Sequence, residues 1–307
     1  MNTQTSTSTP GPRRVDPGGV LLAALGAIAF SGKAIVVKLS FRYGVDAVTL
    51  LALRMVVALP CFVALGWWSA RKAGQPLQRS DYPKIVGLGF FGYYLASYLD
   101  FAGLAYITAT LERLILYLTP TLVLLVSVLV YKRKVSRIQI AALLISYVGV
   151  GLAFGHDMQA GGDNIALGSL LVFGSALTYA IYLIGSGQMV ARVGAVRLTA
   201  CATGVASVFC IAQFLILRPV SILAELPHQV YWLSLLNGTL CTVLPVIMVM
   251  MGVARIGPTL ASQIGMIGPV STIVLSLLLL GEPMGVIQVT GTVLVLIGAL
   301  AASQVKR

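Results

Sequence analysis

The sequence predicts an all-α integral membrane protein with ten transmembrane helices in two inverted five-helix repeats. Three observations carry that expectation. Only 10% of the 307 residues are charged while 58% are hydrophobic, and the mean hydropathy is +0.95. The apolar residues fall in long blocks broken by short polar stretches. One ungapped register lays the second half of the chain on the first.

A soluble domain usually carries about a quarter charged residues, and so few charges could not cover a soluble body of this size. The blocks are continuous, not the half-polar stripes of amphipathic helices. A net charge of +12 would suggest nucleic acid or an acidic partner in a soluble chain. Here the basic residues sit mostly between apolar blocks, so no nucleic-acid partner is expected. Cys61, Cys201, Cys210 and Cys241 each lie inside an apolar block without metal-ligand spacing and read as small packing residues. No metal or cofactor is expected.

Along the chain, residues 1–18 form a Ser-, Thr- and Pro-rich stretch that reads as a disordered cytoplasmic tail. Arg13 and Arg14 before the run from Val20 to Phe30 imitate a secretory signal. No small-residue cleavage site follows, and the run continues to full span length. A bilayer core takes about 20 apolar residues per helix. The blocks give spans at 19–39, 46–67, 84–106, 109–130 and 137–155, then 166–187, 197–217, 230–252, 258–280 and 285–304. The first repeat is therefore 19–155 and the second 166–304. The longest connection, from Trp68 to Pro83, is too short to build a soluble core.

With the N-terminus inside, the stretches 71–84, 132–137 and 192–197, Arg255 and both termini hold most of the 21 basic residues. The positive-inside bias then places both termini in the cytoplasm and requires an even number of helices. The expected setting is a multi-pass protein of the cell inner membrane. Its expected partners are a small-molecule solute and the lipid bilayer, with a homodimer left open.

The repeat is specific because it matches helix breakers and amides as well as leucines. The register that carries Gly103 to Gly252 also carries Thr110 to Thr259, Pro120 to Pro269, Gln139 to Gln288 and Gly149 to Gly298. It places Gly19 on Gly168 and Phe30 on Tyr179. Five helices is an odd number, so the second half crosses the membrane in the opposite sense, an arrangement that recurs in transporters. Lys132, Arg133 and Lys134 align with Gly281, Glu282 and Pro283, the divergence that inversion predicts under the positive-inside rule.

These residues resemble the drug/metabolite transporter superfamily, specifically its tandem EamA-type domains. The resemblance rests on residues 27–33, on Ala52, Leu53 and Arg54, on Pro120 and Pro269, and on the Gly281–Glu282–Pro283 turn. It covers nearly the whole chain after the tail. It departs from the family at Phe30, where a Trp is frequent, and at Lys132–Lys134, where the first half lacks a Gly-Glu turn. It implies ten helices, a central cavity shared by the halves, alternating access, and often export of amino acids or other metabolites. The expected function is secondary active export of a small polar or amphipathic metabolite such as an amino acid, with proton coupling as one form. The alternatives are a membrane-embedded enzyme or a non-transporting scaffold. The spans hold no paired-acid or nucleophile constellation, and no glycine-rich phosphate loop is present.

Ionisable groups within spans suggest function by default. Lys33, Arg54, Asp100, Glu112 and Arg113 all lie in the first four spans. The helical rise of about 1.5 Å per residue places them roughly 7 to 12 Å below the outer helix ends, in one layer. In the second half Tyr182, Val249, Ala261 and Ser262 stand at the places of Lys33, Asp100, Glu112 and Arg113. The layer reads either as a site for a charged or zwitterionic solute, with Asp100 or Glu112 coupling to protons, or as a self-neutralising structural network.

Tyr93, Tyr94, Tyr98, Tyr117, Tyr179 and Tyr182 are candidates to line a cavity for a flat or apolar solute, or to sit at helix contacts. Trp67, Trp68 and Trp232 suit the membrane interface. Gln263 and Asn237 either bind cargo or bridge helices. Pro120 and Pro269 each remove a backbone hydrogen bond in mid-span and are expected to kink or hinge their helices. Gly149, Gly151, Gly291 and Gly298 are expected at close helix contacts.

Overall fold

The computed structural model describes residues 16–72, 76–132, 136–159, 164–282 and 285–304. Arg13, Arg14, Arg133, Lys134, Pro283, Lys306 and Arg307 lie outside the described residues. Every regular element among the described residues is helical. The helices are α1 (Pro17–Phe41), α2 (Ala47–Lys72) and α3 (Asp81–Leu104). Helix α4 comes in two segments, Ala109–Leu116 and Thr119–Tyr131. There follow α5 (Arg137–Gln159), α6 (Ile165–Val193), α7 (Ala195–Leu217) and α8 (His228–Ile256). Helix α9 joins Pro258–Gly265 to Ile267–Leu275 and a π-turn at Ser276–Leu280, and α10 is Val286–Gln304. Nine helices among the described residues are long and apolar enough to cross a membrane, and Val286–Ala301 is a shorter apolar one.

Local chemistry sets the helix ends. Asp16 accepts the Gly18 N–H at 3.1 Å while Pro17 occupies the first helical position, where its missing N–H costs nothing. Asp46 caps α2 by accepting the N–H groups of Val48 and Thr49 at 3.0 and 3.2 Å. Thr108 caps α4 through the Leu111 N–H at 3.1 Å. Between α6 and α7 the chain turns in a single residue, Gly194, at φ +84°, a conformation that side chains disfavour.

Two kinds of irregularity recur in the repeat register. Helices α3 and α8 each contain a π-turn, at Phe90–Leu95 and Thr239–Val243. Helices α4 and α9 each break one turn before a proline, after Leu116 and after Gly265. A proline ring displaces the carbonyl four residues earlier, and those carbonyls belong to Leu116 and Gly265. Both are satisfied by hydroxyls: Thr119 donates to Leu116 at 2.6 Å, and Tyr117 donates to Gly265 at 3.1 Å. At the expected mid-span kinks the regular helix lapses for one or two residues, Tyr117 and Leu118 on α4 and Met266 on α9, which keep right-handed helical dihedrals.

The halves interlock. Helix α1 packs antiparallel on α8, with Gly19 against Ile256 and Gly26 against Val249 and Pro245. Helix α3 packs the same way on α6, with Gly103 against the Gly168 carbonyl. Helices α5 and α10 meet so closely that a Cβ on Gly149 would lie 2.5 Å from the Gly291 carbonyl oxygen. Helix α1 runs parallel to α9, bonded from Ser31 to the Gly268 carbonyl and from Arg42 to the Leu280 carbonyl. Outward-facing apolar side chains such as Ile216 and Val286 are 80% and 83% exposed, a surface that suits hydrocarbon and not water.

The bundle has two ends. At the N-face, where α1 begins, Arg255 lies 3.8 Å from Asp16, and Arg192 pairs with Asp81. At the far face, Arg218 pairs with Asp46 at 3.3 Å. The charged layer lies between these ends.

Candidate functional site: a polar cavity between the halves

The site begins with α1, where Lys33 is buried at 7% exposure. Its ammonium sits 2.5 Å from Asp100 on α3 and 3.7 Å from Glu112 on α4. Glu112 is fully buried, and its second oxygen lies 3.9 Å from the Arg113 Nε. That Nε donates to Thr272 on α9 at 3.0 Å, and the guanidinium reaches the Phe30 and Ser31 carbonyls at 3.5 and 3.4 Å. Four of the five sequence-predicted charges therefore form one cluster across α1, α3 and α4, bonded to α9.

Arg54 stands apart. It donates to Ser97 at 3.2 Å and lies 4.8 Å from the Phe101 ring centre. It is 5% exposed, its Nε has no hydrogen-bond partner, and no carboxylate of the described residues pairs with it.

A cavity of about 440 Å³ lies beside the cluster, within the range of small-molecule sites. Lys33, Arg54, Asp100 and Arg113 line it, and Glu112 lies behind the wall. A smaller space of about 300 Å³ shares Phe30, Tyr93, Arg113, Tyr117 and Tyr179 with it and continues along α1 and α8 to Ala27 and Met250. The walls are built of repeat-equivalent residues: Phe30 with Tyr179, Arg54 with Thr203, Gly92 with Cys241, and Tyr93 with Thr242. The two π-turns supply four of these eight residues, and π-turns recur at functional sites in other proteins.

The other expected residues fall as follows. Tyr182 packs edge-on to Tyr93 with ring centres 5.1 Å apart and stacks on Tyr179 at 5.5 Å. Pro120 lines the larger cavity, while Pro269 is buried next to Gly268 at the wall of the smaller one. Tyr98 packs in an apolar cluster with Val48 and Phe214, away from the cavity. Gln263 is exposed and lines neither space. Asn237 is buried with its side-chain amide unpartnered. Phe62, Ser97, Thr203 and Thr242 line the cavity without having been singled out from the sequence, and Cys241, read there as a packing residue, lines it too. The repeat register was the available signal for three of them.

The smaller space extends toward the N-face, to Ala27 and Met250, and on the far-face side two carboxylates tie down the start of α4. The Glu282 carboxylate accepts the Ala109 and Thr110 N–H groups at 2.9 and 3.4 Å and the Thr110 hydroxyl at 3.2 Å. Asp157 accepts the Thr108 hydroxyl at 2.8 Å. Both carboxylates grip the start of α4, where the N–H groups of a helix terminus are free to bind anions.

A multi-pass helical membrane protein with a buried polar cavity between its halves has the layout of a transporter. The chain is a member of the EamA-like transporter family, whose model matches residues 17–155 and 166–304. It is 30% identical over 277 residues to "Uncharacterized transporter YcbK" of Bacillus subtilis (strain 168), covering 89% of this chain and 88% of that protein. "Uncharacterized transporter YyaM" of the same organism is 27% identical over 234 residues, 75% of each chain. A solved crystal structure of 16% sequence identity matches the fold with a TM-score of 0.63, over 94% of this chain and 99% of that chain.

Proposed function

We propose that the chain is a secondary active exporter of a small polar or amphipathic metabolite, working by alternating access between two inverted five-helix halves. The observation that carries this reading is the cavity walled by equivalent residues of both halves, the position at which inverted-repeat transporters hold their solute. The helix directions support inversion. Helices α3 and α8 are equivalent in the repeat, yet α8 runs antiparallel to α1, while the Lys33–Asp100 pair joins α1 to α3 deep in the run of each. On this reading, with the N-face cytoplasmic, the protein loads from the cytoplasm while Glu282 and Asp157 hold the outer side closed.

Proton coupling fits the Lys33 geometry. A proton on the Asp100 carboxylate releases the ammonium toward Glu112, which exchanges an α1–α3 tie for an α1–α4 tie. Coupling then requires only that solute and proton compete for one wall.

Solute flux into proteoliposomes carrying the purified protein, with and without an imposed pH gradient, tests the function. Flux that follows the gradient is the expected result, and no protein-dependent flux of any metabolite pool would sink the reading. Inversion is tested by single cysteines at positions 133 and 282, which impermeant reagents should modify from opposite sides.

A further inference from the structure

The cavity wall carries more positive than negative charge. Three cations line it, Lys33, Arg54 and Arg113, against one carboxylate, Asp100. Glu112 behind the wall brings the buried layer to three cations and two acids. Two of the cations are occupied by the protein itself. Lys33 is held by Asp100 and Glu112, and Arg113 by Glu112, Thr272 and two α1 carbonyls. Arg54 keeps one hydroxyl and one aromatic face.

Burying a guanidinium without a paired counter-charge is unfavourable, and its planar fork is matched by a carboxylate, which it binds through two parallel hydrogen bonds. Across the repeat from Arg54, Thr203 also lines the cavity with a hydroxyl that has no partner. The rest of the wall is largely aromatic, with Phe30, Phe62, Tyr93, Tyr117 and Tyr179, which suits a flat apolar body. We infer that the cavity takes an organic monoanion, an aromatic carboxylate, with Arg54 holding the carboxylate and the aromatic residues of both halves enclosing the ring. This rests on the transport reading, because the cavity wall selects cargo only if the cavity carries a solute. The Lys33 ammonium holds one oxygen of Asp100 at 2.5 Å, and its charge beside the other, unpartnered oxygen makes that wall less favourable to an amino group on the cargo than Arg54 is to a carboxylate.

Calorimetric titration of the purified full chain in detergent tests the assignment with four probes: benzoate, its neutral isostere benzamide, the cation benzylamine, and acetate, which lacks the ring. Benzoate should bind at least about 10-fold more tightly than the other three. Arg54→Gln should weaken benzoate by about 10- to 100-fold and leave benzamide unchanged, while Arg54→Lys should restore part of the loss. Equal binding of benzamide or benzylamine, no benzoate binding, or full benzoate affinity in a folded Arg54→Gln variant overturns the inference. The wild-type probe series decides the matter even if the variant fails to fold. Benzoate binding without benzoate flux in proteoliposomes would sink the transport reading and leave the anion site standing. Protein-dependent flux of other solutes without benzoate binding would do the reverse.

Discussion

Tyr117 donates its phenolic hydrogen to the Gly265 carbonyl at 3.1 Å. The donor sits at the break of α4, and the acceptor is the carbonyl that Pro269 frees at the equivalent break of α9. The two halves are therefore joined at their discontinuities, beside the cavity both help to wall. Ser31 adds a second tie from α1 to Gly268 at 2.9 Å. A rocking motion of one half against the other would act on these bonds first.

Tyr117→Phe should remove that tie with little change in shape. Interhelical hydrogen bonds in membranes are worth about 0.6 kcal/mol on average, so thermal unfolding in detergent should shift only slightly. The rate of solute exchange should change more than solute affinity, which rate and binding measurements on one preparation separate. A large loss of stability with unaltered exchange would show a packing role alone.

Lys33 and Asp100 should differ in mutational cost. Asp100→Asn leaves the ammonium with Glu112 at 3.7 Å, so the loss is that of one charged hydrogen bond, about 1.5–3 kcal/mol. Lys33→Met leaves Asp100 without its counter-charge, which costs about 3–5 kcal/mol. Both variants should abolish the pH dependence of transport. Unfolding midpoints in the reverse order would place the burden on Glu112 instead.

Glu282→Ala should loosen the far-face closure. The loss of a charged helix cap amounts to about 1–2 kcal/mol, or roughly a 5- to 30-fold shift between closed and open forms. A cysteine at buried Leu111, in a chain without native cysteines, should then react faster with an impermeant maleimide from the far face. An unchanged labelling rate would separate Glu282 from the closure.

Gly149→Val and Gly151→Val form a matched pair on α5. A Cβ at Gly149 meets the Gly291 carbonyl at 2.5 Å, whereas one at Gly151 meets no heavy atom within 4 Å. The first substitution should destabilise by about 1–3 kcal/mol and the second far less, as read from unfolding in detergent. Gly151 is accordingly not part of the α5–α10 contact, contrary to the sequence expectation.

Asp46 gives the acid response of the α1–α2 turn. Burial pushes its carboxyl up, but the Thr49 hydroxyl and N–H, Arg218 and the Val48 N–H outweigh this and hold it below its ordinary 3.8. The stability it contributes is present above that value and is lost as pH falls through the lower folded one. Asp46→Asn should flatten this part of the acid unfolding curve. An unaltered curve below pH 4 would assign the response elsewhere.

The spans and the repeat were legible because hydropathy and helix breakers are one-dimensional signals. Depth was legible too, since a fixed rise per residue put Lys33, Asp100, Glu112 and Arg113 in one layer. Partner choice was not, because it depends on how each helix is rotated about its axis. Rotation leaves Arg54 outside the cluster that depth alone suggested. Tyr98 could have been assigned from spacing: Tyr93, Ala96, Ser97 and Asp100 share the cavity stripe, and Tyr98 lies off it. Glu282 escaped because its contact with Ala109 joins segments 173 residues apart, and nothing local marks it as a cap.

The crossed pairing of α1 with α8 and α3 with α6 also bears on biogenesis. Helices leave the ribosome in order, so α1 enters the bilayer long before the surface it finally packs against exists. Until α3 and α4 arrive, Lys33 has no counter-charge in the lipid, and until α8 follows, the glycine face of α1 stays uncovered. A product truncated after α5 would retain the buried Lys33–Asp100–Glu112–Arg113 cluster and lack its packing partners, a composition suited to recognition by quality-control proteases.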